Sequence, residues 1–250
     1  MSATLAPAMP ASRRILNGAR IHAANPVATL VTPWLITLAI FGMNLAIWWI
    51  VTSVADEGSL EPDAFQYNGG AAWIVFYMMV AATIAMNQTF RFAVGLSATR
   101  RDYYLGTVLF FLAMAAFYSL GMTALAAIER ATEGWGVGGR FFSPFFLLDV
   151  PLWQVALAYA AAITSMAMLG AAVAAVYVRW GSTGMLLFFG ALGVVLIGAI
   201  YLVTRADAWG AVGRFFEGSS LVELSGWAVA LAAVFALVGH LLLRRASIRS

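Results

Sequence analysis

Six stretches of this chain, at roughly 34–53, 71–90, 104–128, 152–177, 183–203 and 225–243, are apolar over about the 20 residues that a helix needs to cross a hydrocarbon core of about 30 Å. A bilayer offers the backbone no water to bond, so a single span must satisfy its own amides as α-helix. The second stretch has a loose boundary: Gly69-Gly70 opens it and the apolar character continues to Val94. Only 10% of residues are charged and 63% are hydrophobic, whereas soluble domains are near a quarter charged. The expected fold is all-α and integral to a membrane. It comprises a cytoplasmic tail with an amphipathic helix over 1–33, a six-span domain over 34–243 and a cytoplasmic tail over 244–250.

Charge orients these spans. With the N-terminus inside, ten of the fourteen arginines fall on the inner side: Arg13, Arg14, Arg20, Arg91, Arg100, Arg101, Arg179, Arg244, Arg245 and Arg249. Arg130, Arg140, Arg205 and Arg214 fall outside. Because arginine bias in short loops sets insertion, both termini are expected in the cytoplasm. The acidic residues agree, with Asp102 inside and Asp56, Glu57, Glu61, Asp63, Glu129, Glu133, Asp149, Asp207, Glu217 and Glu223 outside. The net charge of +3 therefore reflects arginines facing anionic lipid at the inner surface rather than a nucleic-acid partner.

Missing residue types exclude whole chemistries. The chain has no lysine, so it supplies neither a Walker lysine nor a Schiff-base amine and is not its own ATPase. It has no cysteine for thiolate chemistry or disulfides. Its two histidines, His22 and His240, sit near opposite ends of the sequence and form no HExxH. No catalytic residue, metal site or bound cofactor is expected.

The first long apolar run begins near Trp34, too far from the start for a secretory signal. Residues 1–11 are too poor in large apolar groups to pack and are expected to be disordered. From Ser12 to Ala24 a helical wheel gathers Ile15, Leu16, Ala19 and Ala23 against Arg13, Asn17 and Arg20, with Ile21 out of place. That pattern suits a helix on the inner leaflet, although a basic flank signalling topology gives a similar composition. Asn25-Pro26 would end it, and Pro33 suits the first turn of span one.

The segment Asn87–Thr107 between spans two and three is short and basic, with Gly95 and the aromatics Phe90, Phe92, Tyr103 and Tyr104. It can form a short helix along the membrane whose polar edge (Arg91, Ser97, Thr99, Arg100, Arg101, Asp102) meets a soluble partner; ordinary topology signalling explains the charges equally well. The pattern Arg91, Gly95, Thr99-Arg100-Arg101, Gly106 resembles the corresponding loop of type-2 ABC exporter permeases. Ile128–Gly138, "IERATEGWGVG", is similar to an external loop of such permeases in high-GC bacteria. The six-span layout and length agree with this resemblance, and no EAA-type importer loop occurs. The resemblance implies a permease subunit in a bacterial cell membrane, working with a second permease subunit, the same or homologous, and two cytoplasmic ATPase subunits. The partner ATPases would bind ATP and Mg. It further implies that 12–24 is a connecting helix and that 91–103 is a coupling helix, with Arg91, Gly95, Thr99, Arg100, Arg101 and Asp102 as coupling residues.

"WGVGGRFFS" at 135–143 and "WGAVGRFFE" at 209–217 share six residues at an offset of 74. Duplication of a hairpin would produce this; so would convergence on an aromatic belt at the outer interface. By the resemblance, re-entrant helices before the last span cap the exit, which makes Phe215 and Phe216 outer-gate candidates. Phe141, Phe142, Phe145 and Phe146 are expected on the outer leaflet.

Polar groups within spans face other helices or a wet passage. The candidates are Asn44, Asn87, Gln88, Gln154, Thr164 and Ser165, with interhelical hydrogen bonding as the ordinary explanation. By the resemblance, the first two spans line a passage between subunits, which makes Asn44, Trp48, Met79 and Asn87 passage-lining candidates, beside Met43, Met78 and Met86 as an adaptable apolar wall. The small residues of span four, and Gly190, Gly193 and Gly198 of span five, imply close helix packing. Glu129-Arg130 reads as an interfacial ion pair or terminus anchor. An exporter of a lipid, drug or amphipathic peptide is the leading reading. A stand-alone secondary carrier and a membrane enzyme acting on lipid through Asp56, Glu57, Glu61 and Asp63 are the alternatives.

Overall fold

The computed structural model describes residues 9–56, 59–61 and 64–244. The start of the N-terminal tail, the 245–250 tail with Arg245 and Arg249, and Glu57 and Asp63 of the outer acidic cluster lie outside the described residues. Among the described residues all regular structure is helical: α1 (Ala11–His22), α2 (Thr32–Val54), α3 (Ala72–Gly95), α4 (Arg100–Ala131), α5 (Leu152–Arg205), α6 (Trp209–Gly218) and α7 (Leu221–Arg244). Five of these, α2 with its preceding turn, α3, α4, α5 and α7, are long and apolar enough to cross a membrane.

The two apolar stretches expected at 152–177 and 183–203 lie in one run, α5, broken at Gly181. There φ is 68° and ψ is −158°, a conformation that a Cβ would strain. The half before the break carries all the buried residues of α5, including Ala161, Ala167, Gly170, Ala171, Ala174 and Ala175. A Cβ on Gly170 would lie 2.1 Å from the Met79 carbonyl oxygen, so α3 and α5 touch backbone to backbone, as small faces permit. The Thr83 hydroxyl donates to the Gly170 carbonyl at 3.1 Å and the Ser165 hydroxyl to the Ala228 carbonyl at 2.6 Å. Gly190, Gly193 and Gly198 in the second half meet nothing within 4 Å. Their expected packing role has no partner within the described residues.

Proline chemistry explains how α2 begins. Pro33 lies in its first turn, and a proline has no N–H to donate to the carbonyl four residues back. The turn before it widens to π spacing over Val27–Val31, and the Thr29 carbonyl accepts the Tyr118 hydroxyl instead. Tyr77 donates to the Ala28 carbonyl at 2.9 Å. The first span is thereby tied to α3 and α4 by two hydroxyls. Asn25 caps the widened turn, its side-chain oxygen accepting from the Ala28 amide at 3.1 Å; α1 has already ended at His22, before Asn25-Pro26.

Two cores result. One, towards the 132–151 loop, gathers Trp48, Ile74, Met78, Tyr118, Phe141, Phe142 and Tyr159. The other, around the α3–α4 turn, gathers Phe90, Ala93, Tyr103, Tyr104, Ala171, Ala174, Ala175 and Leu243.

Candidate functional site

No separate helix lies between α3 and α4, which corrects the expected coupling helix over 91–103. Arg91 and Gly95 belong to the last turns of α3, Arg100–Tyr103 open α4, and residues 96–99 make a tight turn between them. Ser97 takes φ of 63° there. Thr99 is the N-cap of α4, its hydroxyl oxygen accepting from the Asp102 amide at 3.1 Å. The reason for a turn is packing: Phe90 and Ala93 at the end of α3 are buried with Tyr103 and Tyr104 at the start of α4. This contact holds the two helices together up to their ends and leaves only four residues to connect them.

Helix α1 lies across this turn. The glycines decide the contact: a Cβ on Gly106 would fall 2.7 Å from both the Ala19 amide nitrogen and the Ile15 carbonyl oxygen. The packed face is Ile15, Gly18, Ala19 and His22, while Leu16 is 49% exposed. Ile15 and Ala19 of the apolar face expected on the inner leaflet thus pack on α4 together with Gly18 and His22, while Leu16 and Ala23 of that face stay exposed. Arg14 Nε donates to Asp102 Oδ2 at 2.7 Å, and Asp102 is 6% exposed. Its charge is thus used within the chain rather than presented on the expected polar edge.

His22 is buried. The Thr107 hydroxyl donates to the Tyr103 carbonyl at 3.0 Å, so the 2.8 Å contact between His22 Nε2 and Thr107 has the imidazole as donor. His22 Nδ1 then has no partner among the described residues. Burial lowers its pKa to about 4, which keeps it neutral.

The surface exposed at this end is basic and apolar together, with Phe92 and Leu96 standing beside the arginines. Arg91 and Arg101 are exposed, and Arg100 donates to the Arg244 carbonyl at 3.0 Å, linking the turn to the end of α7. Between α1 and the turn runs a groove of about 320 Å³, lined by Met9, Arg14, Asn17, Ile21, Leu96 and Ser97 among others. Of the six coupling candidates, all lie within or beside this turn.

The passage candidates are not brought together. Asn44 donates to the Ile40 carbonyl of its own helix at 2.8 Å and accepts from Asn68, in the connection before α3, at 2.7 Å; neither bond is the interhelical one expected. Trp48 is buried against Phe65 and the Gly139 backbone. Met79 is half-buried at the α3–α5 crossing, and Asn87, half-buried on α3, has a side-chain oxygen without a partner among the described residues.

The opposite end is organised by a carboxylate. Glu129, fully buried at the end of α4, accepts from Trp135 Nε1 at 3.0 Å, from the Phe141, Phe142 and Ser143 amides at 2.7, 3.0 and 2.8 Å, and from the Ser143 hydroxyl at 2.6 Å. Arg130 donates to the Val150 and Leu147 carbonyls. The pair therefore anchors the loop separately, with no ion pair to each other. Phe141 and Phe142 are fully buried, against the expected outer-leaflet placement, while Phe145 and Phe146 are exposed. The two related sequences adopt different structures: 135–143 is an irregular loop with left-handed residues, and 209–217 is the exposed helix α6 carrying Phe215 and Phe216. Comparison with family models, curated proteins and solved structures finds no match for this chain.

Proposed function

We propose that this chain is the membrane-spanning permease subunit of an ATP-driven type-2 ABC exporter. The observation that carries the reading is the ledge at the α3–α4 turn. The exposed Arg91 and Arg101 flank a turn braced by two further helices: by α1, through Gly18–Gly106 and the Arg14–Asp102 pair at the start of α4, and by α7 through Arg100. A load applied to such a turn moves the helices with it, because packed backbone transmits displacement. The resemblance of Arg91, Gly95 and Thr99-Arg100-Arg101 to exporter loops gives that load a source, a pair of cytoplasmic ATPases that bind ATP and Mg. The lack of lysine fits a subunit that leaves nucleotide chemistry to partners.

In this reading α5 crosses twice, turning at Gly181, which makes six spans with both termini in the cytoplasm of a bacterial cell. A second permease subunit completes the passage, and α6 with Phe215 and Phe216 forms the outer gate. The cargo is a hydrophobic or amphipathic molecule: a lipid, drug or peptide. Reconstitution into liposomes with the partner ATPase tests the reading. Export of a lipid-like fluorescent cargo should require hydrolysable ATP; export by this chain alone without nucleotide would overturn it in favour of a secondary carrier.

A further inference from the structure

The elbow at Gly181 serves the reading above only as a turn, yet it carries a chemistry of its own. Beside the bend lies an open cleft of about 480 Å³ lined by Arg179, Trp180, Thr183, Gly184, Leu187 and Phe188. Its lining is of two kinds. The Arg179 guanidinium carbon lies 4.6 Å from the Trp180 ring centroid, so the planar cation is held over an aromatic face. Among the described residues no carboxylate pairs with it, and the Thr183 hydroxyl lines the same cleft. Leu187 and Phe188 give the same cleft apolar lining, and Leu187 is 68% exposed. Gly184 makes the shape possible: a Cβ there would fall 2.1 Å from Trp180 Cβ, so only glycine lets the indole fold back against the second half of the helix.

The position along the fold is also defined. Ala171, Ala174 and Ala175, just before the elbow, share a buried cluster with Phe90, Tyr103 and Leu243. The elbow thus sits at the same end as the α3–α4 turn, which is the membrane surface if α5 crosses twice, the part of the reading above on which this inference rests. An inorganic anion would satisfy Arg179 and leave the apolar lining wet. A hydrocarbon chain alone would leave the guanidinium without a counter-charge. A molecule with an anionic head and an acyl chain satisfies both, since arginine makes paired hydrogen bonds to phosphate and basic pockets at span ends take anionic headgroups.

We propose that the Gly181 elbow binds one anionic phospholipid, its phosphate held by Arg179 and the Thr183 hydroxyl and an acyl chain laid along Leu187 and Phe188. The site requires that the chain be embedded in a bilayer with α5 crossing twice and is independent of ATP-driven export, so the test uses no ATPase and no cargo.

The full chain in detergent micelles is titrated with phosphatidylglycerol and, separately, with phosphatidylcholine, and bound lipid is counted by native mass spectrometry. One phosphatidylglycerol should be retained about ten-fold more tightly than phosphatidylcholine. Arg179→Gln should lose that preference, a fold-change in line with a charge-assisted hydrogen bond, while Arg205→Gln at the far end of the same helix should keep it. Equal retention of the two lipids, or an unchanged Arg179→Gln, overturns the proposal. Displacement of the lipid by millimolar sodium phosphate also overturns it, because the site would then be one for a free anion. The chain has no cysteine, so Thr183→Cys gives a second measurement on an otherwise unlabelled protein. Phosphatidylglycerol should slow thiol labelling at that position where phosphatidylcholine does not. Disulfide-linked dimers of Thr183→Cys in membranes would show a second copy covering the elbow and would contradict a lipid there.

Discussion

Two buried side chains state most clearly what single residues do in this protein. Glu129 accepts five hydrogen bonds from Trp135, Phe141, Phe142 and Ser143, and three of the donors are backbone amides with no other way to be satisfied. Glu129→Ala should therefore cost about 3 kcal/mol or more, the sum of several orphaned donors. A lowered Tm and faster tryptic cleavage after Arg140 would report it; a wild-type Tm and cleavage rate would refute it. His22 makes the opposite kind of statement, about a charge that is absent. Its pKa falls from 6.5 unfolded to about 4 folded. The unfolded chain then binds more protons between those values, so stability is full above pH 6.5 and declines as pH falls towards 4, by up to about 3 kcal/mol. His22→Gln should flatten that part of the pH profile relative to wild type, as measured by thermal unfolding in detergent; an identical profile would show that another group carries it.

Among elements, the contact of α1 with α4 is the most sharply specified. Gly106→Val places a side chain where backbone already lies at 2.7 Å. It should separate the two helices at a cost of about 1–3 kcal/mol, exposing His22 and breaking the Arg14–Asp102 pair. Faster amide exchange confined to α1 and the first turn of α4 is the expected signature, and unchanged exchange would count against the contact. The helices themselves were readable because bilayer-crossing length and hydropathy leave a strong signal. How they meet was not. Hydropathy scores a side chain and is blind to the close approach that the lack of one allows, so Gly18 and Gly106 carry no signal for the contact they make. The repeated WG..GRFF sequences show the same limit: one copy is captured by the Glu129 carboxylate into a buried loop, while the other, whose Trp209 indole donates to the Thr204 hydroxyl, is an exposed amphipathic helix. A short connection between α3 and α4 was foreseen in its position and its arginines, but its form as a turn follows from the Phe90–Tyr103 contact, which links residues on two different helices.

At the scale of the whole molecule, the described chain leaves much of its apolar surface uncovered in the second half of α5, where Leu186, Val194 and Ile197 are 75, 73 and 70% exposed. Lipid or a second subunit must cover such a surface in a membrane. The first half of α5 instead packs through Ala171, Ala174 and Ala175 into the cluster beside the braced turn, the turn at which we propose that an ATPase docks. Affinity purification of the tagged protein from its native membrane in mild detergent, with ATP hydrolysis of the eluate as the readout, tests that claim most directly. A stoichiometric ATP-hydrolysing partner should elute with the wild-type chain and be lost from Arg91→Ala/Arg101→Ala, which removes the two exposed arginines, while that variant keeps the wild-type Tm. Elution of the wild-type chain without ATPase activity, or full retention of the ATPase by the double variant, would contradict it.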